Sequence, residues 1–477
     1  MDSHGLIVSL KAGGLGAEFH DMAEWGSVAC PGGRRGRRIG AYRVRVTLAQ
    51  RQFGLPPGRQ HGCPGARRDC ARFARCCGMP VIHGAEMNDP DARTAYARRV
   101  AVFCTNFLPS SQVFVYEQLR HYQRYEADVF AWRRFNAPRF PFPRVHVAKP
   151  AYVVRGRSRH FDRTFERRRF DLVHAHFGPA GAYAQNFACV HSLPLVVTFH
   201  GYDVPLLSSP RRFLPVHLPY ALASRAMLRQ LTLGICASKE LERLLLDLGV
   251  PPDRLRVHRL GVDLERFAFR AERSEPLVAM VGRLVEKKGF EYGLRAFAHA
   301  CHVMDDKPRL VVVGHGERKR SLMSLCQELG IAARVEFVGG QTNERVAEIL
   351  AQTKVLLAPS VVAGDGNRES GLIVVKEAAA SGTVPIGTLH GGIPESIDDG
   401  VTGYLVTERD WQGMGERLRE VLTDEALRQR LAGAARQKME SEFDNRQLVT
   451  ELEAIYDEVC ASHASKRSAC SRSTRRG

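Results

Sequence analysis

No run of about 18 apolar residues and no signal-peptide core occurs in this 477-residue chain. Neither a membrane-spanning helix nor a secretory leader is therefore expected, and a cytoplasmic protein, at most resting on the inner face of the cytoplasmic membrane, is favoured. C-x-x-C pairs are missing as well. Five of the twelve cysteines (Cys30, Cys63, Cys70, Cys76 and Cys77) crowd the N-terminal segment and the others are scattered singly, which excludes a disulfide scaffold and fits thiols in a reducing compartment. There is no G-x-x-x-x-G-K-[ST] phosphate loop, and the GHG at Gly314 to Gly316 lacks the third glycine of a dinucleotide fingerprint, so a tight turn is the reading there. The only D-x-D, Asp89-Pro90-Asp91, precedes the first expected strand, which argues against dependence on a divalent metal.

Positive charge is abundant but uneven. A formal net charge of +18 raises nucleic acid or an anionic membrane as partners. Residues 1–78 carry 13 Lys/Arg against 5 Asp/Glu, and residues 461–477 carry 5 against none, so most of the excess sits at the two ends. These ends offer little aromatic sequence on which bases could stack; electrostatic adhesion is the most they support, and no specific nucleic acid is expected. Residues 1–97, rich in Gly, Arg, Pro and Cys without an apolar period, read as a disordered extension. His61 with Cys63, Cys70, Cys76 and Cys77 lacks the paired spacing of a zinc site, and Met79 or Met87 would make a more natural start.

Order begins near Val100. Val100–Cys104 reads as a strand, a helix starts near Ser111, and Asp128–Trp132 reads as a second strand. An Arg-rich stretch from Arg155 to Arg169, opposed only by Asp162 and Glu166, is a solvated helical face or a contact for an anionic surface. DLVHAHFG (171–178), PLVVTFHGYD (194–203) and LGICASKEL (233–241) repeat a strand followed by a loop or helix. Turns dominate from Pro251 to Arg273, with an interdomain linker near 268–275. A second series of such units then opens at PLVAMVGRLVEKKG (276–289). Repetition without tight hairpins predicts an α/β protein with two doubly wound parallel sheets: an N-terminal domain over 98–270, a C-terminal one over 271–440, a closing helix over 441–460 and a basic disordered tail over 461–477.

The stretch PSVVAGDGNRESGLIVVKE (359–377) organises the second domain. A short apolar strand leads into a Gly-rich loop and an apolar helix. Placing the helix start at Glu369 sets Glu377 a little over two turns on, so both carboxylates can face one cleft, and backbone amides from about Ser370 through Gly371 and Leu372 to Ile373 can meet an anion. Arg283 and Lys288 in VGRLVEKKG, five residues apart across a loop that opens a helix, can both reach one diphosphate. A solvated turn is the ordinary fate of such a pair. His200 at the end of a strand, followed by Gly201, is a candidate functional histidine. His174 and His176 share a strand face but lack a third metal ligand. LHGGIPE gives a further flexible loop with Gly391 and Gly392.

Taken together, these segments resemble the retaining nucleotide-sugar glycosyltransferases of family 4, which have the GT-B fold of two Rossmann-like domains facing across a cleft. VGRLVEKKG is similar to the family's V-G-R-L-x-x-x-K-G segment, and ESGLIVVKEAAASGTVPIGT to its E-x-G-x-x-x-x-E-A-x-A-x-G-x-P-V segment, with HGGIPESIDDGVTGYLV following in order. HAHFG, TFHGYDV and SSQVFV are similar to the subgroup that builds bacterial exopolysaccharides of the colanic acid or amylovoran type. The resemblance implies that Arg283 and Lys288 bind the donor diphosphate in place of a metal, that Glu377 holds the ribose hydroxyls, and that the backbone of Ser370, Gly371 and Leu372 receives phosphate or sugar oxygens. Glu369 would lie beside the donor sugar, His200 would approach from the other domain, and Asp203 would support His200 or the acceptor. A UDP- or GDP-linked sugar is then the donor, no cofactor is implied, and the acceptor is a glycan or lipid-linked sugar. Two positions depart from the family: NFLPSS (106–111) replaces a Gly-Gly loop, and Ser370 stands where Gly, Phe or Cys is frequent. The rival readings are a GT-B phosphorylase or epimerase, against which the Glu369–Glu377 setting argues, and a basic nucleic-acid- or membrane-binding protein with a vestigial sugar site.

Overall fold

The computed structural model describes residues 98–109, 112–148, 158–302, 304 and 308–474. The N-terminal extension with its His/Cys grouping, the alternative starts, the D-x-D and the first part of the Arg-rich stretch lie outside the described residues.

Order in the first half follows the expected alternation: β1 (Arg98–Phe107), α1 (Val113–Arg120), β2 (Tyr125–Arg134), β3 (Val145–Val147), α2 (Arg159–Arg167), β4 (Leu172–His176), α3 (Gly178–Val190), β5 (Leu195–Phe199), α4 (Asp203–Ser208), α5 (Leu218–Gln230), β6 (Leu233–Cys236), α6 (Lys239–Asp247) and β7 (Leu255–Val257). The second half contributes β8 (Leu277–Val281), α7 (Phe290–His302), β9 (Arg309–Val313), α8 (Lys319–Glu328), β10 (Val335–Gly339), α9 (Asn343–Gln352), β11 (Val355–Ala358), α10 (Ile373–Ser381), β12 (Val384–Thr388), β13 (Tyr404–Val406), α11 (Trp411–Thr423), α12 (Glu425–Glu442) and α13 (Asn445–Thr474). Neighbouring strands pair in parallel in both sheets. Strands covered on both faces must be apolar throughout, and β4, β5, β6, β11 and β12 are buried along their whole length.

The sheet orders are β3-β2-β1-β4-β5-β6-β7 and β10-β9-β8-β11-β12-β13. Each reverses direction of growth once, between β1 and β4 and between β8 and β11, and the crevice at the carboxyl ends of the strands beside such a reversal is where doubly wound sheets bind ligands. Six phenylalanines (Phe103, Phe130, Phe161, Phe165, Phe170 and Phe187) fill one face of the first sheet. Its other face is closed by α1 and by Leu452, Ile455, Tyr456 and Val459 of α13.

Two boundaries differ from the sequence reading. Val262 and Phe267 pack in the core of the second domain, so the crossing between domains falls before Val262 instead of near 268–275; isolated apolar residues among turns carry no period that would reveal this. The chain crosses back where Asp444 bridges Val262, and α13 then lies on the first sheet. That helix does not stop at residue 460 but runs to Thr474, correcting the expected disordered tail. The extension is tethered: His463 Nε2 and Arg467 Nη1, one turn apart, lie 3.0 and 3.1 Å from the carbonyl oxygen of Ser192, and the intervening Ala, Ser and Lys do not oppose helix.

Candidate active site

Four strand ends beside the two reversals supply the site. On the C-terminal side, β8 leads through Gly282 to the short turn Glu286–Lys288, and β11 leads into the loop that ends at α10. That helix begins at Ile373, one turn later than expected. The reason is packing that a local reading cannot see. The amide of Glu369 donates to Nε2 of His390 at 2.9 Å, and a Cβ on Gly391 or Gly392 would stand 2.1 Å from the carbonyl oxygen of Glu369 or 2.0 Å from that of Ser370. The chain after Arg368 is thus pressed flat against the Gly391–Gly392 loop, which only residues without a Cβ allow. Because His390 Nε2 accepts a hydrogen bond, its proton sits on Nδ1 and is donated to Glu408 Oε1 at 2.7 Å.

Glu369 is buried. Its Oε1 lies 2.9 Å from Lys287 Nζ and its Oε2 3.3 Å from Lys288 Nζ. Burial alone would raise its pKa, but the ammonium groups of Lys288 and Lys287 outweigh that and hold the carboxyl down at about 2. Burial likewise lowers Lys288, which Glu369 opposes and which the neighbouring charges of Lys287 and Arg283 reinforce. Lys287 was missed by the sequence reading, which considered only Arg283 and Lys288; its Nζ also reaches the carbonyl oxygen of Arg368 at 3.3 Å. Arg283 is exposed near Lys288, so the two predicted cations do lie together. No side chain caps α10, and Gly371 faces open space.

The structure separates Glu369 from Glu377. With four loop residues before α10, the eight-residue spacing spans a single helical turn, and Glu377 instead joins Ile373, Phe114, Thr198, His258 and Arg266 in the wall of a cavity of about 230 Å3 between the domains. Burial pushes the Glu377 carboxyl up to about 7, against the pull of Arg266.

On the N-terminal side, His200 follows β5. Its Nε2 lies 3.0 Å from Nδ1 of His176 at the end of β4, and the rings stack at 5.2 Å. Phe114 and Phe177 flank it at 4.8 and 4.5 Å between ring centres. Burial, then the neighbouring His176, depresses His200 well below the ordinary imidazole range, and burial takes His176 down to about 3; both rings are neutral. His176 was weighed only as a metal ligand. Its partner on the strand, His174, has both nitrogens engaged, with Thr198 Oγ1 at 2.7 Å and Tyr456 Oη at 2.5 Å, which leaves none for a metal. Asp203 is buried and accepts from the amides of Gly178 and Gly201, each at 2.9 Å. It therefore holds the backbone that carries His200. Leu108 and Phe177, the residues just past β1 and β4, adopt φ of 64° and 70°, a strained choice for bulky residues. Leu108 lies in NFLPSS (106–111), the segment that departs from the Gly-Gly the resemblance led one to expect.

The two sides touch. Ser370 Oγ donates to the carbonyl oxygen of His200, in contact so close that a Cβ on Gly201 would stand 2.5 Å from it. Arg211 pairs with Asp365 at 2.9 Å and Arg368 with Glu240 at 2.8 Å, clamping the 359–372 loop across the cleft.

Two Rossmann-like domains meeting over strand ends in this way form the GT-B arrangement of glycosyltransferases. Residues 99–266 match the model of Glycosyltransferase Family 4 and residues 262–438 that of Glycosyl transferases group 1. Salmonella typhimurium WcaL, named as a colanic acid biosynthesis glycosyltransferase, is 31% identical over 298 residues, 60% of this chain and 71% of WcaL. Erwinia amylovora AmsK, an amylovoran biosynthesis glycosyltransferase, is 29% identical over 300 residues, 60% of this chain and 70% of AmsK. Anabaena HepE, solved in complex with UDP-glucose, shares the fold with a TM-score of 0.62 at 18% identity, covering 76% of this chain and 99% of HepE. The chain belongs to glycosyltransferase family 4 and is similar to members named for exopolysaccharide synthesis.

Proposed function

We propose that the protein moves a hexosyl group, with retention of anomeric configuration, from a UDP- or GDP-linked sugar to a glycan or lipid-linked acceptor in bacterial surface or exopolysaccharide synthesis. The observation that carries this reading is the buried Glu369 carboxylate between Lys287 and Lys288, one residue from the Ser370 hydroxyl that binds the carbonyl of His200. The UDP-glucose of HepE supports the donor class.

Breaking the bond between the sugar and its phosphate leaves an oxocarbenium-like carbon and an anionic diphosphate. Lys288 and Arg283 neutralise the diphosphate, joined by the uncapped amides at the start of α10. Lys288 shares its charge with Glu369 at rest, so an arriving phosphate competes for a cation already in place and little reorganisation is needed. Glu369, ionised throughout the working range, stays beside the sugar as a source of negative charge. The neutral His200 offers a hydrogen bond to a sugar hydroxyl without placing a second cation at the carbon that becomes positive. Glu377 holds the ribose hydroxyls. Closure through Arg211–Asp365 and Arg368–Glu240 keeps water from the donor.

A panel of nucleotide sugars, with soluble glycan acceptors and NMR of the anomeric proton in donor and product, tests the reading. Transfer with unchanged configuration is expected. An inverted product, or turnover of none of the donors, would refute it.

A further inference from the structure

The Gly-rich loop that carries Glu369 is tied at both ends to side chains from other loops of the second sheet. Val362, near its start, donates its amide to Glu408 Oε2 at 2.9 Å, and its carbonyl oxygen accepts from Arg409 Nη2 at 3.3 Å. Arg409 has a left-handed backbone, φ 68°, which a residue with a side chain keeps only where its surroundings hold it. The other oxygen of Glu408 accepts from Nδ1 of His390 at 2.7 Å, and Nε2 of His390 accepts from the amide of Glu369 at 2.9 Å. One carboxylate after β13 and one buried imidazole after β12 therefore bridge the loop from Val362 to Glu369. Burial would raise the Glu408 carboxyl, but the hydrogen bonds from His390 and the Val362 amide hold it below the ordinary carboxylate range. It stays an acceptor for both. The imidazole is a conditional acceptor, since Nε2 can take the amide hydrogen only while that nitrogen carries no proton.

We propose that His390, oriented by Glu408, is a positioning residue of the transfer reaction: it fixes the backbone of Glu369 so that the carboxylate stays beside the sugar, and it releases that backbone when Nε2 is protonated. This role rests on the reading of Glu369 as the carboxylate next to the donor sugar; the tie between the loop ends does not. A second proton makes Nε2 a donor facing the donor N–H of Glu369, and the two repel. The charges around the ring are Glu408 on Nδ1 with Arg409 beside it, and the Glu369 carboxylate with Lys287 and Lys288. Glu240 of α6, which holds Arg368, adds an oxygen that would stand 3.3 Å from a Cβ on Gly391. Other groups at the site do not explain a loss of turnover in mild acid. Glu369 itself is held ionised down to about 2, and burial keeps His200 and His176 neutral.

The test pairs two measurements on the full chain from about pH 8 to about pH 5. One is kcat with the nucleotide sugar that the panel identifies, at saturation, where the effect of Glu377 on donor KM does not enter. The other is amide hydrogen exchange of the peptide spanning 364–372, expressed as protection relative to the free peptide. The wild type should lose turnover and protection together as pH falls. His390→Gln, whose side-chain carbonyl can accept from the Glu369 amide throughout the range, should keep most of the high-pH rate and show neither fall. His390→Leu should lose about tenfold or more in kcat with donor KM within about twofold of the wild type, because Lys288 and Arg283 remain in place. Its protection should be low at every pH, and Glu408→Ala should move both readouts in the same direction. Wild-type pH profiles in His390→Gln, or wild-type kcat and protection in His390→Leu, would overturn the proposal. So would a loss in His390→Leu that His390→Gln does not restore while both melt as the wild type does, since His390 then serves packing only. If His390→Leu fails to fold, the profile of His390→Gln decides alone. Turnover of none of the nucleotide sugars would refute the donor reading and with it the role in transfer, while the exchange profiles would still show whether His390 holds Glu369.

Discussion

The two halves of the site are built from opposite materials. The C-terminal side is made of charge: Lys287, Lys288 and Glu369 buried together with Arg283 alongside. On the N-terminal side the groups around His200 are neutral: His176 beneath it, aromatic rings around both, and the backbone carbonyl that Ser370 reaches, while the charges of Arg211 and Glu240 are spent on the loop across the cleft. A buried cation is costly unless something meets it; Glu369 meets Lys287 and Lys288 here, and in the proposed reaction a diphosphate shares Lys288. Neutral imidazoles cost less to bury and are suited to hydroxyls. On the proposed reading, the donor's phosphates lie against the charged side and the sugar's hydroxyls against the neutral one.

Removing the charged side should do the most damage. Lys288→Ala and Glu369→Gln are each expected to lower turnover by about 10²-fold or more with donor saturating, with melting curves showing that the fold persists. Wild-type rates in either would take that residue out of the mechanism.

The neutral side should yield smaller losses. His200→Ala should cost about tenfold or more in kcat/KM, comparable to one hydrogen bond to a sugar hydroxyl. His176→Leu should show a loss of the same kind, because it frees the imidazole of His200 to rotate. His176→Asn, whose amide can stand where Nδ1 was, should restore most of it. If Leu and Asn behave alike, His176 serves packing only.

Asp203 tests the frame beneath His200. Asp203→Ala leaves the amides of Gly178 and Gly201 without their acceptor, and a loss of about 1–3 kcal/mol in unfolding free energy is expected from chemical denaturation. An unchanged midpoint would contradict the role given to it.

The mildest effect is one of pH. A folded-state carboxyl raised to about 7 at Glu377 binds a proton between roughly pH 4.3 and 7 that the unfolded chain has already released. Its contribution therefore disfavours the fold as pH rises through that window. Hydrogen bonds from ribose hydroxyls favour the ionised form, so donor KM should fall as pH rises from 6 to 8. Burial also lowers Lys376, one residue away, to about 7, so the comparison needs Glu377→Gln: the slope of KM with pH should vanish there, and a slope that survives belongs to Lys376.

Much of this was legible before the structure. The alternation of apolar strands with loops and helices fixed two parallel doubly wound sheets, because each strand is buried on both faces and reads as a short apolar run. Lys288, Arg283 and His200 announced themselves by standing after such runs. What escaped detection depends on contacts distant in sequence. The late start of α10 comes from the pressure of Gly391 and Gly392 on Glu369 and Ser370, and it moves Glu377 out of the company of Glu369. Lys287 carries no local mark of burial, since its partner Glu369 lies some 80 residues on in the chain. His176 became a partner of His200 only because β4 and β5 are neighbours in the sheet. The helix beyond residue 460 holds through Ser192, some 270 residues earlier in the chain.

The division of labour can be tested most directly by nucleotide affinity without any sugar. UDP and GDP are titrated calorimetrically into the wild type, Lys288→Ala and His200→Ala. At least one nucleotide should bind the wild type, lose about tenfold or more in affinity with Lys288→Ala, and bind His200→Ala within about twofold of the wild type. Equal losses in the two variants, or none in Lys288→Ala, would contradict a site whose charged half alone holds the diphosphate.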